Sequence, residues 1–362
     1  MGTKFKSPIV VEPHKFTWFD VDLPKPGPHE AIFRIKACLI CGSDLHVYKG
    51  LHPFAPLPAC CGHEVAAEVV EIGSEVTGLK EGDRVYVCGN GSDPIPCGQC
   101  FNCIRGGTLK CFNPHVPTSF DVGGKRVARF PSGFGEYTIG HEGSAYKLPS
   151  NISYYEAATI TDLAYVIGVV RRSEAKLGDS TVILGAGPIG LRTLEVAKSA
   201  GIYPIIVSEP LDFRAKMAYE LGADYVINPQ EEDTVRRVLE ISSGSGVDFV
   251  YDTVGIADVT NQGLAMLKNK AGGSGTLCLM GLFENPKLTI NASDLMHRAG
   301  KIVAEWGFNI RNHVDQAIAM FSQGKVHVSK WITHRFPEDM ADEAMMMLIE
   351  KKENAIGVEI IH

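Results

Sequence analysis

The chain has no hydrophobic run long enough to span a bilayer. Its most apolar stretch, Ile152 to Val170, is interrupted by Glu156 and Asp162, whereas a spanning helix needs about 20 apolar residues almost free of charge. Secretion is not expected, because MGTKFKSPIVVEPHK has no apolar core with a small-residue cleavage site behind it. Gly2 does not open a myristoylation signal, since the position that should hold Ser or Thr is Lys6. Nor is there an excess of positive charge. With 35 Lys and Arg against 42 Asp and Glu the net charge is −7, the wrong sign for a phosphate polymer as partner. No repeat or low-complexity segment stands out. The expectation is a cytoplasmic protein with neither nucleic acid nor membrane as partner.

What remains is an ordinary globular composition, 45% hydrophobic and 21% charged over 362 residues, enough for about two domains at roughly 150 residues each. The first 150 residues carry short β-type runs, such as EAIFRIKACLI, EVAAEVVEIG and DRVYVCG, punctuated by Pro and Gly. From about Gly178 the texture changes. Apolar strands (STVILGAG, YPIIVSE, DYVINP, DFVYDTVG, GTLCLMGL) alternate with helical patterns (PIGLRTLEVAKSAG, LDFRAKMAYELGA, EDTVRRVLEISSG). That alternation predicts an α/β domain with a doubly wound parallel sheet covered on both faces. KIVAEWGF, HVDQAIAMFSQG, ADEAMMMLIEKK and IGVEII do not obviously extend the pattern and are expected to return to the first domain. The predicted division is 1–160, completed by 301–362, around 161–300.

Ten cysteines in such a chain point to metal or nucleophilic chemistry more than to disulfides. Cys97, Cys100, Cys103 and Cys111 are spaced C-x2-C-x2-C-x7-C within PCGQCFNCIRGGTLKC. Three thiolates can converge from one turn and the fourth closes a tetrahedral sulfur shell suited to zinc; with no open position, the site is structural. An iron–sulfur cluster or a loop of unpaired thiols shares this type of spacing. Cys38, Cys60, Cys61, Cys88 and Cys278 read as structural.

Gly185-Ala186-Gly187-Pro188-Ile189-Gly190 follows an apolar strand and opens a helix, the context in which G-x-G-x-x-G binds a dinucleotide. The pyrophosphate then rests on the helix N-terminus. Glu209, at the end of the next strand, is placed to bind the adenosine ribose hydroxyls. Its charge would repel a 2′-phosphate, which favours NAD over NADP. Arg214 is close enough in sequence to reach the adenosine end, or else lies on a solvated helix face. A second constellation, CGSDLH with GHE, brings Cys41, His63 and Glu64 into the first domain; three mixed ligands plus water make the open, catalytic kind of zinc site. A buried cysteine and a satisfied core histidine are the plainer reading of those residues.

Together, CGSDLH, GHE, the four-cysteine lobe, LGAGPIG and VSE followed by FRAKMAYELGAD resemble, in order and distance, the zinc-dependent medium-chain alcohol dehydrogenases, particularly the sorbitol and threonine dehydrogenase branch. The resemblance covers essentially the whole chain. It implies a β-rich GroES-like catalytic domain and a Rossmann NAD-binding domain with the site in the cleft between them. It also implies one catalytic and one structural zinc, NAD, a small-molecule alcohol substrate, and a homodimer or homotetramer. Cys41 and His63 match the catalytic zinc ligands, and Asp162 in Thr161-Asp162 is chosen as the third, with Glu64 as the substitute. Ser43, the nicotinamide ribose and His46 would carry the hydroxyl proton to solvent, and Asp44 would orient a neighbour. Three positions depart from the pattern: Thr161 competes for the aligned ligand position, Ala67 replaces a usual Gly, and no Lys precedes the final strand. Phe54, Phe120 and Trp306 are candidates to line the substrate pocket. A non-catalytic, zinc-stabilised NAD-binding protein would have lost Cys41, His63 or the relay, and none is lost. A zinc-free quinone or enone reductase of this fold would lack both cysteine sets.

Overall fold

The structure, a computed structural model, describes residues 4–89, 95–97, 99–104, 111–114, 120–122, 125–127, 133–268, 274–283, 285, 287–305 and 307–362. The chain divides into two compact units, Met1–Thr161 with Ile332–His362, and Asp162–Trp331.

In the first unit a seven-stranded sheet runs in the order Ile332–Pro337, Gly357–Ile361, Glu30–Leu39, Glu64–Ile72, Arg84–Cys88 and Ala145–Lys147, with Tyr137–His141 also paired to Glu30–Leu39. The pairs are antiparallel except for Ile332–Pro337 beside Gly357–Ile361. The run Glu30–Leu39 shows why it sits at the centre: seven of its ten residues are buried, so both faces need cover. One face joins Val65, Val87, Phe134, Met345 and Ile360 in the main core. Two register shifts between Glu30–Leu39 and Glu64–Ile72 re-aim the side chains towards the ends of these strands, where Leu39 leads to Cys41 and Glu64 follows His63. Ala67 is buried on the second of these strands.

The second unit holds six parallel strands, Thr181–Leu184, Ile205–Ser208, Tyr225–Ile227, Phe249–Asp252, Thr276–Leu279 and Lys301–Ala304. Numbered along the chain, their order across the sheet is 3-2-1-4-5-6, the doubly wound arrangement whose ligand crevice lies beyond the ends of strands 1 and 4. Every residue of Thr181–Leu184 and Phe249–Asp252 is buried, as expected for strands covered by helices on both faces.

One expectation about the tail is corrected. Lys301–Ala304 pairs with Thr276–Leu279 as the sixth strand, and the chain stays with the second unit to Trp331, returning to the first only at Ile332. As an edge strand with one neighbour, KIVA is largely exposed, so it lacks the continuous apolar run by which the inner strands were recognised. Among the described residues, no helix is long and apolar enough to cross a membrane.

Candidate active site

Cys41 is the N-cap of the short helix Gly42–Tyr48, and His63-Glu64 stands where the chain enters the strand Glu64–Ile72. One ligand atom each from Cys41, His63 and Glu64 lies within 4.8 Å of the others. Asp44 ties the two segments together. Its Oδ2 accepts the Cys41 N–H at 3.0 Å, its Oδ1 accepts the Gly62 N–H at 2.9 Å, and Oδ1 also faces His63 Nδ1 at 3.5 Å. Burial alone would push the Asp44 carboxyl up, but the His63 ring and the two backbone N–H groups outweigh it and hold the carboxyl below its usual range. With Nδ1 against Asp44, the His63 ring turns Nε2 to the Glu64 side, 4.0 Å from Oε1. This is how an outer carboxylate orients a metal-binding imidazole. A thiol, an imidazole and a fully buried carboxylate form a donor set that zinc accepts. A cation there would offset the cost of burying the Glu64 carboxylate.

Ser43 and His46 follow Cys41 on the same helix. Separated by three residues they are neighbours on one face, and both are half-buried, while Asp44, Val47 and Tyr48 face inward. Asp162 is buried on the helix Ile160–Ser173 but is not one of the three converging donors. The neighbouring Thr161 hydroxyl is engaged with Tyr86 Oη at 2.9 Å. Burial above all pushes the nearby Cys38 and Cys61 thiols well up, which keeps them unreactive.

The four-cysteine lobe is a different kind of site. One sulfur from each of Cys97, Cys100, Cys103 and Cys111 falls within 4.8 Å of the rest. Cys100 Sγ lies 3.4 Å from Cys103 Sγ and 4.0 Å from Cys111 Sγ. Backbone N–H groups of Phe112 and Cys103 bring the Cys100 thiol down to about 6, and the Cys97 N–H, 3.3 Å from Cys111 Sγ, lowers that thiol as well. The Cys100 thiol is thus biased towards the thiolate, the form a metal binds.

In the second unit, Thr181–Leu184 leads through Gly185 into the helix Pro188–Ser199, with Gly187 as N-cap and Pro188 at the first helical position. Gly185 has φ +93°, and a Cβ there would stand 2.9 Å from Val254 Cγ2 and 3.0 Å from Thr253 Oγ1, in the loop after Phe249–Asp252. A Cβ on Gly190 would lie 2.0 Å from the Gly185 carbonyl oxygen, so helix and turn could not meet with any other residue there. Gly187 is open by contrast: the nearest atom to its would-be Cβ is Arg214 Nη1, 3.7 Å off. Glu209, buried at the end of Ile205–Ser208, accepts the Ala186 N–H on Oε2 at 2.7 Å and the Leu211 N–H on Oε1 at 3.0 Å. Turn, acid and Arg214 are therefore one assembly.

Of the suggested pocket residues, Phe54 is exposed, Phe120 belongs to the strand Phe120–Val122, and Trp306 lies outside the described residues. Sequence reasoning missed the backing of the GHE segment. Gly133 donates its N–H to the Gly62 carbonyl at 2.8 Å; an isolated glycine so far from GHE carries no signal for this in a single sequence.

Comparison with known proteins agrees with this layout. Residues 27–150 match the family described as alcohol dehydrogenase GroES-like domain, and residues 188–323 match zinc-binding dehydrogenase. The L-threonine 3-dehydrogenase of Pyrococcus horikoshii is 36% identical over 335 residues, covering 91% of this chain and 90% of that one. The sorbitol dehydrogenase of Halalkalibacterium halodurans is 31% identical over 330 residues, with 89% of each covered. Among solved structures, a proposed zinc-binding dehydrogenase from Sinorhizobium meliloti 1021 bound to NADP superposes with a TM-score of 0.82 at 27% identity, covering 99% of this chain and 100% of that one.

Proposed function

Because the chain belongs to the zinc-dependent medium-chain alcohol dehydrogenase family, we infer that it transfers a hydride between a secondary alcohol or polyol and NAD, giving the ketone or aldehyde. The convergence of Cys41, His63 and Glu64 beside the helix face bearing Ser43 and His46 carries this reading. Zinc held by these three residues supplies Lewis acidity, which lowers the pKa of a substrate hydroxyl. Glu64 rather than Asp162 is the third ligand in this reading, since it belongs to the converging group. The Ser43 hydroxyl takes the substrate proton at Oγ, and the His46 ring releases it to solvent. Asp44 keeps His63 oriented throughout. Cys97, Cys100, Cys103 and Cys111 hold a second, structural zinc, for which the four clustered sulfurs and the lowered Cys100 thiol are the support.

The unit Asp162–Trp331 binds the dinucleotide, with pyrophosphate on the turn of Gly185, Gly187, Pro188, Ile189 and Gly190. Glu209 favours NAD, whose ribose hydroxyls it can accept from, over the 2′-phosphate of NADP; Arg214 serves the adenosine end. A homo-oligomer, dimer or tetramer, is supported by the edge position of Lys301–Ala304, where Ile302 is exposed. A cytoplasmic setting is supported by the ten cysteines standing outside any disulfide.

The deciding experiment is metal content per chain together with NAD reduction across polyols, L-threonine, and primary and secondary alcohols. Two zincs with NAD-linked turnover carry the reading and name the substrate class. One zinc and no turnover overturn it in favour of a non-catalytic role.

A further inference from the structure

The segment Gly62-His63-Glu64 is held from behind by residues remote in sequence. The Gly62 N–H donates to Asp44, and the Gly62 carbonyl accepts the Gly133 N–H. The Gly133 carbonyl in turn accepts from Nε2 of His362 at 3.2 Å, and His362 Nδ1 faces Glu338 Oε2 at 3.0 Å. The imidazole of His362 is only 4% exposed, so a polar ring has been taken into the interior, with Nε2 bonded to the Gly133 carbonyl and Nδ1 beside a carboxylate.

The packing along this path leaves no slack. Gly62 has φ +91°, and a Cβ on it would stand 2.7 Å from Phe134 Cδ1 and 2.9 Å from Cys38 Sγ. On Gly133 a Cβ would lie 2.3 Å from the same sulfur. In an interior packed this closely a displacement of Gly133 is passed on to Gly62 rather than absorbed.

We propose that His362 is a positioning residue for the metal centre: by holding the Gly133 carbonyl it fixes the place of Gly62-His63-Glu64, and so the affinity of that site for zinc. It touches neither substrate nor metal and acts through the path His362, Gly133, Gly62, Asp44, His63. The proposal rests on the reading of Cys41, His63 and Glu64 as a zinc site.

The test uses the full chain with zinc bound. His362→Ala and His362→Leu remove the donor, whereas His362→Gln keeps an N–H of similar reach. Zinc release to a chromogenic chelator is followed for both sites, the four-cysteine zinc being assigned through its loss in Cys100→Ser. Ala and Leu are expected to release the Cys41 zinc about tenfold faster, the lower end for losing an outer support of a metal ligand. Release from the four-cysteine site stays unchanged, and Gln stays within about twofold of the parent protein at both sites. Unchanged release in Ala and Leu, or a loss in Gln equal to theirs, overturns the proposal. If neither Ala nor Leu folds, Glu338→Gln, which removes the charge facing Nδ1, is expected to speed release from the Cys41 site about threefold; unchanged release there counts against the proposal. A parent protein without zinc outside the four-cysteine lobe overturns the zinc reading itself, and is seen before any variant is made.

Discussion

The two cysteine-bearing centres of the first unit are built on opposite plans. At Cys97, Cys100, Cys103 and Cys111 four like donors come from one short stretch, all half-buried, with the four-residue helix Phe101–Ile104 as the regular element among them. At Cys41, His63 and Glu64 three unlike donors come from a helix start and a strand start, braced by Asp44 and backed by Gly133. On the proposed reading a metal would organise the chain in the first case, whereas in the second the chain itself brings the donors together. A site that must keep a position open for substrate cannot rely on the ion to shape it.

The comparison can be broken most severely at His63. His63→Ala is expected to lower kcat/KM for the alcohol by about 10³-fold or more, as befits several kcal/mol of lost Lewis-acid stabilisation, while the far-ultraviolet circular dichroism stays that of the parent. Retained turnover would mean that the chemistry lies elsewhere. Next comes the brace: Asp44→Asn keeps the shape but loses the charge facing His63, and zinc affinity at this site should fall by about 10–100-fold in a chelator titration, with the other zinc unaffected.

Cys100→Ser should give the reverse pattern. Thermal unfolding shifts down by several degrees, at roughly 2–4 °C per kcal/mol for units of this size, and the remaining folded protein loses far less activity than His63→Ala. The smallest effect sharpens the contrast by pH. With metal stripped, alkylation of Cys100 should rise with a midpoint near pH 6, because its thiolate is favoured by backbone N–H groups. A depressed thiol pKa means more thiolate at neutral pH, so reactivity is present above the midpoint and lost as pH falls through it. Cys38 and Cys61, raised by burial, should stay unmodified at pH 7.

The same contrast explains what could be read in advance. The sulfur lobe is local, so spacing alone conveys its geometry, and the Gly-rich turn is nearly as local because strand, turn and helix are contiguous. The mixed site is assembled across the sheet. Linear order offered both Asp162 and Glu64 as third ligand, and the register between Glu30–Leu39 and Glu64–Ile72, which sets where His63 and Glu64 stand, is not visible in a sequence. Lys301–Ala304 was hidden by its exposure, since an edge strand has little reason to be uniformly apolar. His362 is hidden because nothing in a lone histidine marks a partner more than two hundred residues away.

The Glu209 carboxylate has a consequence for how such a protein can change its cofactor. The Ala186 amide that it binds belongs to a fully buried residue, and a buried amide stripped of its acceptor costs roughly 1–3 kcal/mol. Replacing Glu209 to admit a phosphorylated ribose would therefore disturb the Gly-rich loop proposed to receive the pyrophosphate. If Glu209 sets the preference for NAD as proposed, cofactor preference and loop shape are inherited together, and a lineage moving between the two dinucleotides must supply a new acceptor for Ala186 along the way.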